Sequence, residues 1–247
     1  MNKLKEVLIG LLIVIVIGSL VILVYRSQSG RVNRELAKRI AEVSPKGGPP
    51  ETIEGLRQAI AIYEEQIERN VREGAQTGIY WKILGIRLAD KGMHNDALHA
   101  FERAIYYNTD EPVLYYLTGI SAATVAKSIV GFSGNAQREH FNSLSENAYL
   151  RAIDLDNTYT RPMYGLSILY VFELDRPQDA VPHLERLLSI QSSNIDAMFV
   201  LARAYFMTER YKQAIEVYDK IITGSKDKKV QAEALNNIDI IQGLYYE

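Results

Sequence analysis

The feature that most constrains the fold is a helix-turn-helix pattern that recurs after 34 residues. The packing residues of its first copy are Trp81, Leu84, Gly85, Leu88, Ala97, Phe101 and Ala104. Gly119 follows Gly85 after 34 residues, inside the segment Tyr115 to Gly119. A helix pair that recurs at this period is the sequence signature of a superhelical repeat array, which offers an extended binding surface rather than a reaction centre.

Composition excludes several classes of protein. Of the 247 residues, 47% are hydrophobic and 23% are charged, as in an ordered protein. The chain has no cysteine, which excludes disulfides, zinc–thiolate sites and thiol catalysis. Residues 47–247 carry 20 basic and 27 acidic groups. Because phosphate binding depends on clustered Lys and Arg, we expect no nucleic-acid partner.

Residues 7–25 form a run of 19 uncharged residues, nearly all Leu, Ile, Val and Gly. As a helix this run would be about 28 Å long, close to the roughly 30 Å thickness of the bilayer's hydrocarbon core. The run is longer than the apolar region of a signal peptide, and no Ala-x-Ala-like cleavage site follows it. The sequence therefore predicts an uncleaved transmembrane helix after a short basic tail, residues 1–6.

Two charge counts disagree on the orientation of this helix. Two Lys or Arg residues precede it and five lie in the fourteen residues after it, which favours a cytoplasmic repeat domain. The nearest flanks favour the opposite orientation, because Lys3, Lys5 and the amino group precede the helix and only Arg26 follows closely. This second pattern is typical of a bacterial signal-anchor. We expect a single-pass inner-membrane protein with its repeats in the periplasm, and the cytoplasmic orientation stays open.

The rest of the chain divides by periodicity and by helix-breaking residues. Residues 26–50 combine a basic juxtamembrane helix with a Pro/Gly-rich loop. Residues 51–77 have one apolar helical face and are predicted to form the degenerate first repeat helix. Residues 78–228 are predicted to hold four repeat units, and residues 229–247 a capping helix. The four units begin at Gly78, Pro112, Thr160 and Ile195.

This pattern resembles the tetratricopeptide repeat family over about residues 51–246. The first unit matches best, and the fourth matches nearly as well, with Ala202 in place of the usual glycine. The third departs at Ser167 and carries Pro182, which is expected to distort or delay its second helix. The resemblance implies a right-handed superhelical array of helix-turn-helix repeats. Together with the apolar run at residues 7–25, it predicts an all-α protein in which a single N-terminal transmembrane helix precedes this array.

The second unit contains an insertion. It is 48 residues long, 14 more than its neighbour, and the excess lies at about residues 128–141. An exposed apolar loop there would contact a partner. Alternatively, the second helix is extended and its apolar residues pack back on the array. The candidate contact residues are Ile129, Val130, Phe132 and Phe141.

The sequence contains no motif that carries catalytic chemistry. His94 and His99 are five residues apart, which places them on different helix faces and does not suit a zinc pair. We find no glycine-rich phosphate loop, nucleophile elbow or paired catalytic carboxylates. We therefore expect no enzyme activity, no metal site and no cofactor.

The resemblance implies that the first helix of each unit lines the concave side of the array. The predicted groove residues are Lys82, Ile86, Tyr116, Ile120, Tyr164, Ile168, Phe172, Phe199, Arg203, Phe206 and Met207. An aromatic groove suits an amphipathic helix or an extended hydrophobic peptide. Alternatively, these rings belong to the core, or a helix of the same chain fills the groove. Ile86, Ile120 and Ile168 replace the asparagines of carboxylate-clamp members, so docking of chaperone tails is not expected.

Three functions are compatible with these features. The first is a membrane-anchored scaffold or adaptor that binds protein partners and helps to assemble or stabilise an envelope complex of the secretion, pilus, flagellar-motor or division type. The second is a membrane-anchored chaperone or translocon accessory that binds unfolded clients. The third is a self-associating structural repeat protein, a homo-oligomer in which the groove of one copy accepts the terminal helix of the next.

Overall fold

The computed structural model describes residues 34–43, 50, 52–131 and 134–245. Within these ranges all regular structure is helical and no β-strand occurs, which confirms the predicted all-α class. The helices are α1 (34–43), α2 (Ile53–Asp90), α3 (His94–Tyr107), α4 (Pro112–Ser128), α5 (Asn135–Leu155), α6 (Thr160–Ile168), α7 (Pro177–Ile190), α8 (Ile195–Met207), α9 (Tyr211–Gly224) and α10 (Lys228–Tyr245).

The predicted transmembrane helix, residues 7–25, and the basic tail before it lie outside the described residues. Phe132, one of the four predicted insertion contacts, also lies outside them. Among the helices that the structure does describe, none combines the length and the apolar composition that crossing a bilayer requires.

The chain divides into two units, residues 1–73 and 74–247. In the first unit, α1 packs beside α2, where Arg39 Nη1 donates to Glu65 Oε2 at 2.8 Å. The sequence predicted one helix over residues 51–77 and a new repeat from Gly78, whereas α2 runs from Ile53 to Asp90. No proline interrupts this stretch, and a glycine inside a helix costs only about 1 kcal/mol.

The second unit is an array of successive helix pairs, in which aromatic rings pack on glycines of neighbouring helices. The ring of Tyr149, on α5, lies between Gly119 of α4 and Gly165 of α6. A Cβ atom on Gly119 would lie 2.5 Å from Cε1 of this ring, and one on Gly165 would lie 2.8 Å from its Cζ. Phe101 packs on Gly85 in the same way. These contacts explain why the recurring pattern alternates glycine and aromatic residues.

The third repeat, residues 160–194, is irregular in its first helix rather than its second. After Ile168, α6 continues as a π-helical turn, Leu169–Glu173, in which the amide of Leu174 donates to the carbonyl of Leu169 at 3.0 Å. A π-turn adds a residue and rotates the side chains that follow it around the helix axis. The second helix, α7, begins at Pro177 and continues through Pro182, so this solvent-exposed proline neither delays nor ends the helix.

The core of the array is a continuous apolar ribbon from α5 to α10 and a smaller cluster near its start. The ribbon extends from Tyr149 to Ile241, and α10 covers its end with Ala234, Ile238 and Ile241. The smaller cluster is centred on Phe101, which is fully buried. From α3 to α10, each helix packs mainly on its sequence neighbours, as expected of a repeat array.

A polar network joins the second repeat to the third. Tyr170 Oη and Arg176 Nη1 both donate to Glu146 Oε1, at 2.9 and 3.0 Å. The Arg176 side chain also lies over the Tyr170 ring, 4.7 Å from its centroid, and its Nε donates to Asp179. The imidazole of His183 also lies near this ring, at 6.1 Å between ring centroids. Burial lowers the pKa of His183 below its ordinary value of about 6.5, although the charge of Asp179 opposes this shift.

This lowered pKa predicts acid destabilisation through His183. Below about pH 6.5 an unfolded chain protonates this imidazole while the folded chain keeps it neutral, so stability falls as the pH decreases toward the folded-state pKa. The His183→Gln variant lacks this contribution. We expect the free energy of unfolding of the native protein, minus that of the variant, to be constant above about pH 7 and to decrease below about pH 6.5 in urea titrations. A difference that does not change with pH would contradict the assignment.

Candidate protein-binding groove

The first helices of successive repeats form one surface of the array. Helix α4 contacts α6, and α6 contacts α8, in addition to the partners that each has within its own repeat. On the opposite side, a hollow of about 610 Å³ separates α3 from α5. The first helices of neighbouring repeats contact each other, whereas the second helices α3 and α5 stand apart. The array therefore curves toward its first helices. We call the side formed by α4, α6 and α8 the inner surface.

Two hollows adjoin on the inner surface and together form what we call the central groove. The first, of about 310 Å³, lies between α4 and the α7–α8 connection, and Tyr116 and Leu187 contribute to its walls. The second, of about 460 Å³, lies between α4 and α6, and Ala123 and Ile168 contribute to its walls. Tyr164 lines both hollows, so its ring stands at their junction.

The two ends of the central groove differ in polarity. The first hollow is rimmed by side chains that bond to one another: Gln191 Nε2 donates to Thr160 Oγ1 at 2.9 Å, and Asn194 Nδ2 donates to Gln191 Oε1 at 3.0 Å. Arg161 and Asp196 add one charge of each sign there. The second hollow is mostly apolar, with Lys127 and Glu173 at its edge. The groove can therefore hold an apolar side chain beside polar backbone groups.

The central residue of the groove is itself half-buried. Burial raises the pKa of Tyr164 above that of a free tyrosine, and the nearby carboxylate of Asp196 raises it further. A tyrosine phenol is protonated at neutral pH even without this shift, so it can donate a hydrogen bond to an acceptor on a ligand. A ring with an apolar body and a polar tip is well suited to anchor a peptide.

The structure brings together only some of the predicted groove residues. Tyr116, Tyr164 and Ile168 line the central groove. Phe172 lies in the π-helical turn and is 55% exposed, next to Glu173 at the groove's edge. Five other predicted groove residues are half-buried and pack against the two cores: Ile86, Ile120, Phe199, Phe206 and Met207.

The charged members of the predicted set have different environments. Lys82 Nζ donates to Glu111 Oε1 at 2.6 Å, so its charge is neutralised within the array. The Arg203 side chain is exposed, and its guanidinium lies 5.8 Å from the centroid of the Phe206 ring. The ring of Phe199 lies 5.9 Å from that of Tyr218 on α9, an edge contact that ties it to the core.

Sequence reasoning missed the polar end of the groove. Gln191, Asn194 and Asp196 lie in and after the turn between α7 and α8, so they reach the groove through packing of the next repeat. The turn itself carried one local signal, because Asn194 accepts from the amide of Ala197 as the cap of α8. That signal predicts a helix start and gives no indication of a binding site.

Most of the insertion in the second repeat is helical. Helix α5 has 21 residues, whereas α7 and α9 each have 14. Val130 is 85% exposed, and Ile129 is half-buried beside Gly134. Phe141 lies on α5 and lines the hollow between α3 and α5. Its apolar neighbours there are Leu98, Ile105, Tyr115 and Leu144.

A family model described as tetratricopeptide repeat matches residues 171–232, from the π-helical turn into α10. A tetratricopeptide repeat-containing protein of Borreliella burgdorferi (strain ATCC 35210 / DSM 4680 / CIP 102532 / B31) is 20% identical over 186 residues, which cover 75% of this chain and 80% of that protein. The array has the tetratricopeptide-repeat fold. This fold accounts for the helix pairs, the glycine–aromatic contacts and the inner surface described above.

Three solved structures show the same fold at low sequence identity. YrrB, described as a tetratricopeptide-repeat protein with an unusual peptide-binding site, has a TM-score of 0.56 and 14% identity, and the match covers 72% of this chain and 83% of YrrB. A thermophilic tetratricopeptide-repeat protein of Thermus thermophilus has a TM-score of 0.52 and 15% identity, covering 73% of this chain and 89% of that one. MamA of Desulfovibrio magneticus RS-1 has a TM-score of 0.51 and 16% identity, covering 67% and 95%.

Proposed function

We propose that the protein is a scaffold that binds a segment of another protein in its central groove. The observation that supports this most directly is the position of Tyr164, whose half-buried ring stands between two adjoining hollows on the inner surface. Repeat arrays use such surfaces for binding and supply no reaction chemistry. The peptide-binding site named in the description of YrrB is consistent with this role.

The groove favours an extended or helical peptide with an apolar anchor. An aliphatic or aromatic side chain would occupy the second hollow, against Ile168 and the ring of Tyr164. The polar groups of the first hollow, including Gln191 and Asp196, would then bond to the backbone or to a polar side chain of the peptide. This division between an apolar anchor and a polar neighbour is how grooves combine affinity with selectivity.

We further propose that residues 7–25 anchor this scaffold in a bacterial inner membrane, with the array in the periplasm. The 19 uncharged residues and the basic tail before them support the anchor. Tethering raises the local concentration of the groove, so weak contacts can assemble an envelope complex. Sedimentation with membranes before and after removal of residues 1–30 tests the anchor, and a truncated chain that still sediments with membranes contradicts it.

The groove is tested by substitution of its central residue. Peptides selected from a random display library on the full-length protein are expected to share an apolar anchor. Their affinity should fall about 30-fold in Tyr164→Ala, because a central aromatic residue contributes about 2 kcal/mol or more to such an interface. Fluorescence anisotropy measures the affinity, and Tyr106→Ala is the matched control, since Tyr106 lies on α3 and is 71% exposed.

Two results of this selection would reject the proposal. Equal affinity of the selected peptides for native protein and Tyr164→Ala would place binding outside the central groove. Unrelated apolar sequences, bound with similar micromolar affinity, would favour the chaperone that binds unfolded clients. Circular dichroism of both variants shows whether the helices are retained.

A further inference from the structure

We infer that the first unit binds a second copy of this chain through an apolar stripe on α2. The stripe consists of Ile53, Leu56, Ile60, Tyr63 and Ile67, which are 42–73% exposed. Their intervals alternate between three and four residues, the heptad spacing of helices that pair along one seam. All five residues lie in the first unit, so this inference does not depend on the central groove.

The stripe is distinct from the face of α2 that packs within its own unit. Ile62 is buried, and Glu65 accepts from Arg39 of α1, so α1 covers the side of α2 that carries these two residues. Within the described residues of the first unit, the five stripe side chains stay largely exposed. Soluble proteins rarely leave a continuous row of large apolar residues in water unless it serves an interface.

The charges beside the stripe are complementary when it binds the stripe of a second copy in antiparallel orientation. In that arrangement Ile60 lies opposite the partner's Tyr63, and Leu56 lies opposite the partner's Ile67. The two charged residues along one edge of the stripe, Arg57 and Glu64, then lie beside the partner's Glu64 and Arg57. Because the dimer has a twofold axis, the pair of Arg57 with the partner's Glu64 forms twice.

The parallel orientation has no such complementarity. In a parallel pair, a residue on the edge of the seam that carries Arg57 and Glu64 lies beside the residue five places earlier on the other helix. Arg57 would therefore meet the partner's Thr52, and Glu64 the partner's Ala59, both of which are uncharged. The antiparallel arrangement also packs each Tyr63 ring against an isoleucine rather than against its own symmetry mate.

The oligomeric state of the full-length protein in a mild detergent tests this inference by light scattering. We expect a dimer at micromolar concentration. Ile60→Glu should raise the dissociation constant at least about 100-fold, because two buried isoleucines are lost per dimer. Ala61→Glu adds the same charge at the next, exposed position and should leave the dimer unchanged. A monomeric native protein, or equal behaviour of the two variants, would overturn the inference.

Charge reversal tests the partner's identity and its direction. Arg57→Glu and Glu64→Arg should each weaken the homodimer by about 3- to 30-fold, because each places like charges together twice. An equimolar mixture of the two single variants should form a heterodimer as tight as the native dimer, since both pairs become complementary. A mixture no tighter than either variant alone would refute antiparallel pairing.

Disulfide trapping gives an independent measure of direction, because the native chain contains no cysteine. In antiparallel pairing, Leu56→Cys should crosslink to Ile67→Cys when two tagged variants are mixed and oxidised. Self-crosslinking of Leu56→Cys is excluded there, since the two sites would be about 16 Å apart along the helix axis, beyond the reach of a disulfide. Self-crosslinked Leu56→Cys without the mixed product would contradict the antiparallel arrangement.

Discussion

Replacing Gly119 by valine is expected to lower the free energy of unfolding of the second unit by about 3 kcal/mol. The Cβ atom alone would lie 2.5 Å from the Tyr149 ring, and valine adds two further carbons. The ring has little room to move away, because Gly165 packs against it from the next repeat. The gain in helix propensity over glycine is a few tenths of a kcal/mol and does not offset this overlap.

Urea unfolding followed by circular dichroism measures this effect against a matched glycine. Gly243 lies in α10 with open space around the position of a Cβ, so Gly243→Val should change stability by about 0.5 kcal/mol or less. In the Tyr149→Ala background, the Gly119→Val change should lose most of its cost, because the opposing ring is absent. Equal effects of the two glycine substitutions would show that close approach of α4 and α5 does not limit stability.

Replacing Phe101 by alanine is expected to cost about 3–5 kcal/mol, the usual range for a fully buried aromatic residue. The loss should be local. Phe101 belongs to the small cluster near the start of the array, which is separate from the ribbon between α5 and α10. Because a repeat array is stabilised mainly by interactions between neighbouring units, its first repeat can open while the others stay folded.

Hydrogen exchange measured by mass spectrometry distinguishes local from global opening. In Phe101→Ala, amides of α3 should exchange faster, whereas those of α8 and α9 should keep their native protection. Leu184→Ala is the comparison, because Leu184 is fully buried in the ribbon and its loss should accelerate exchange across α6 to α9. Uniformly faster exchange in Phe101→Ala would contradict the division into two clusters.

The sequence predicts the part of the fold that rests on local spacing. Gly119 was visible because it follows Gly85 after 34 residues, the interval of a helix pair. Its partner Tyr149 was less visible, because the insertion places it 48 residues after Phe101. The length of α2 was not predictable, since Gly74 and Gly78 are equally compatible with a helix interior and with a turn.

The candidate site was predictable only where it depends on a single helix. Tyr164 and Ile168 are one turn apart on α6, so periodicity alone places them on the same face. Gln191 and Asp196 come from another repeat, and no local pattern indicates that they reach Tyr164. The exposure of Phe172 depends on a π-helical turn, for which Leu169–Glu173 shows no sequence signal.

Site-specific photocrosslinking in cells tests the central claim, binding of another protein in the central groove, most directly. A benzophenone side chain at position 164 of the intact chain is expected to crosslink to one dominant protein. The same group at position 106, an exposed site on α3, should give little of this product. Equal yields from the two positions, or none from position 164, would contradict binding in the central groove.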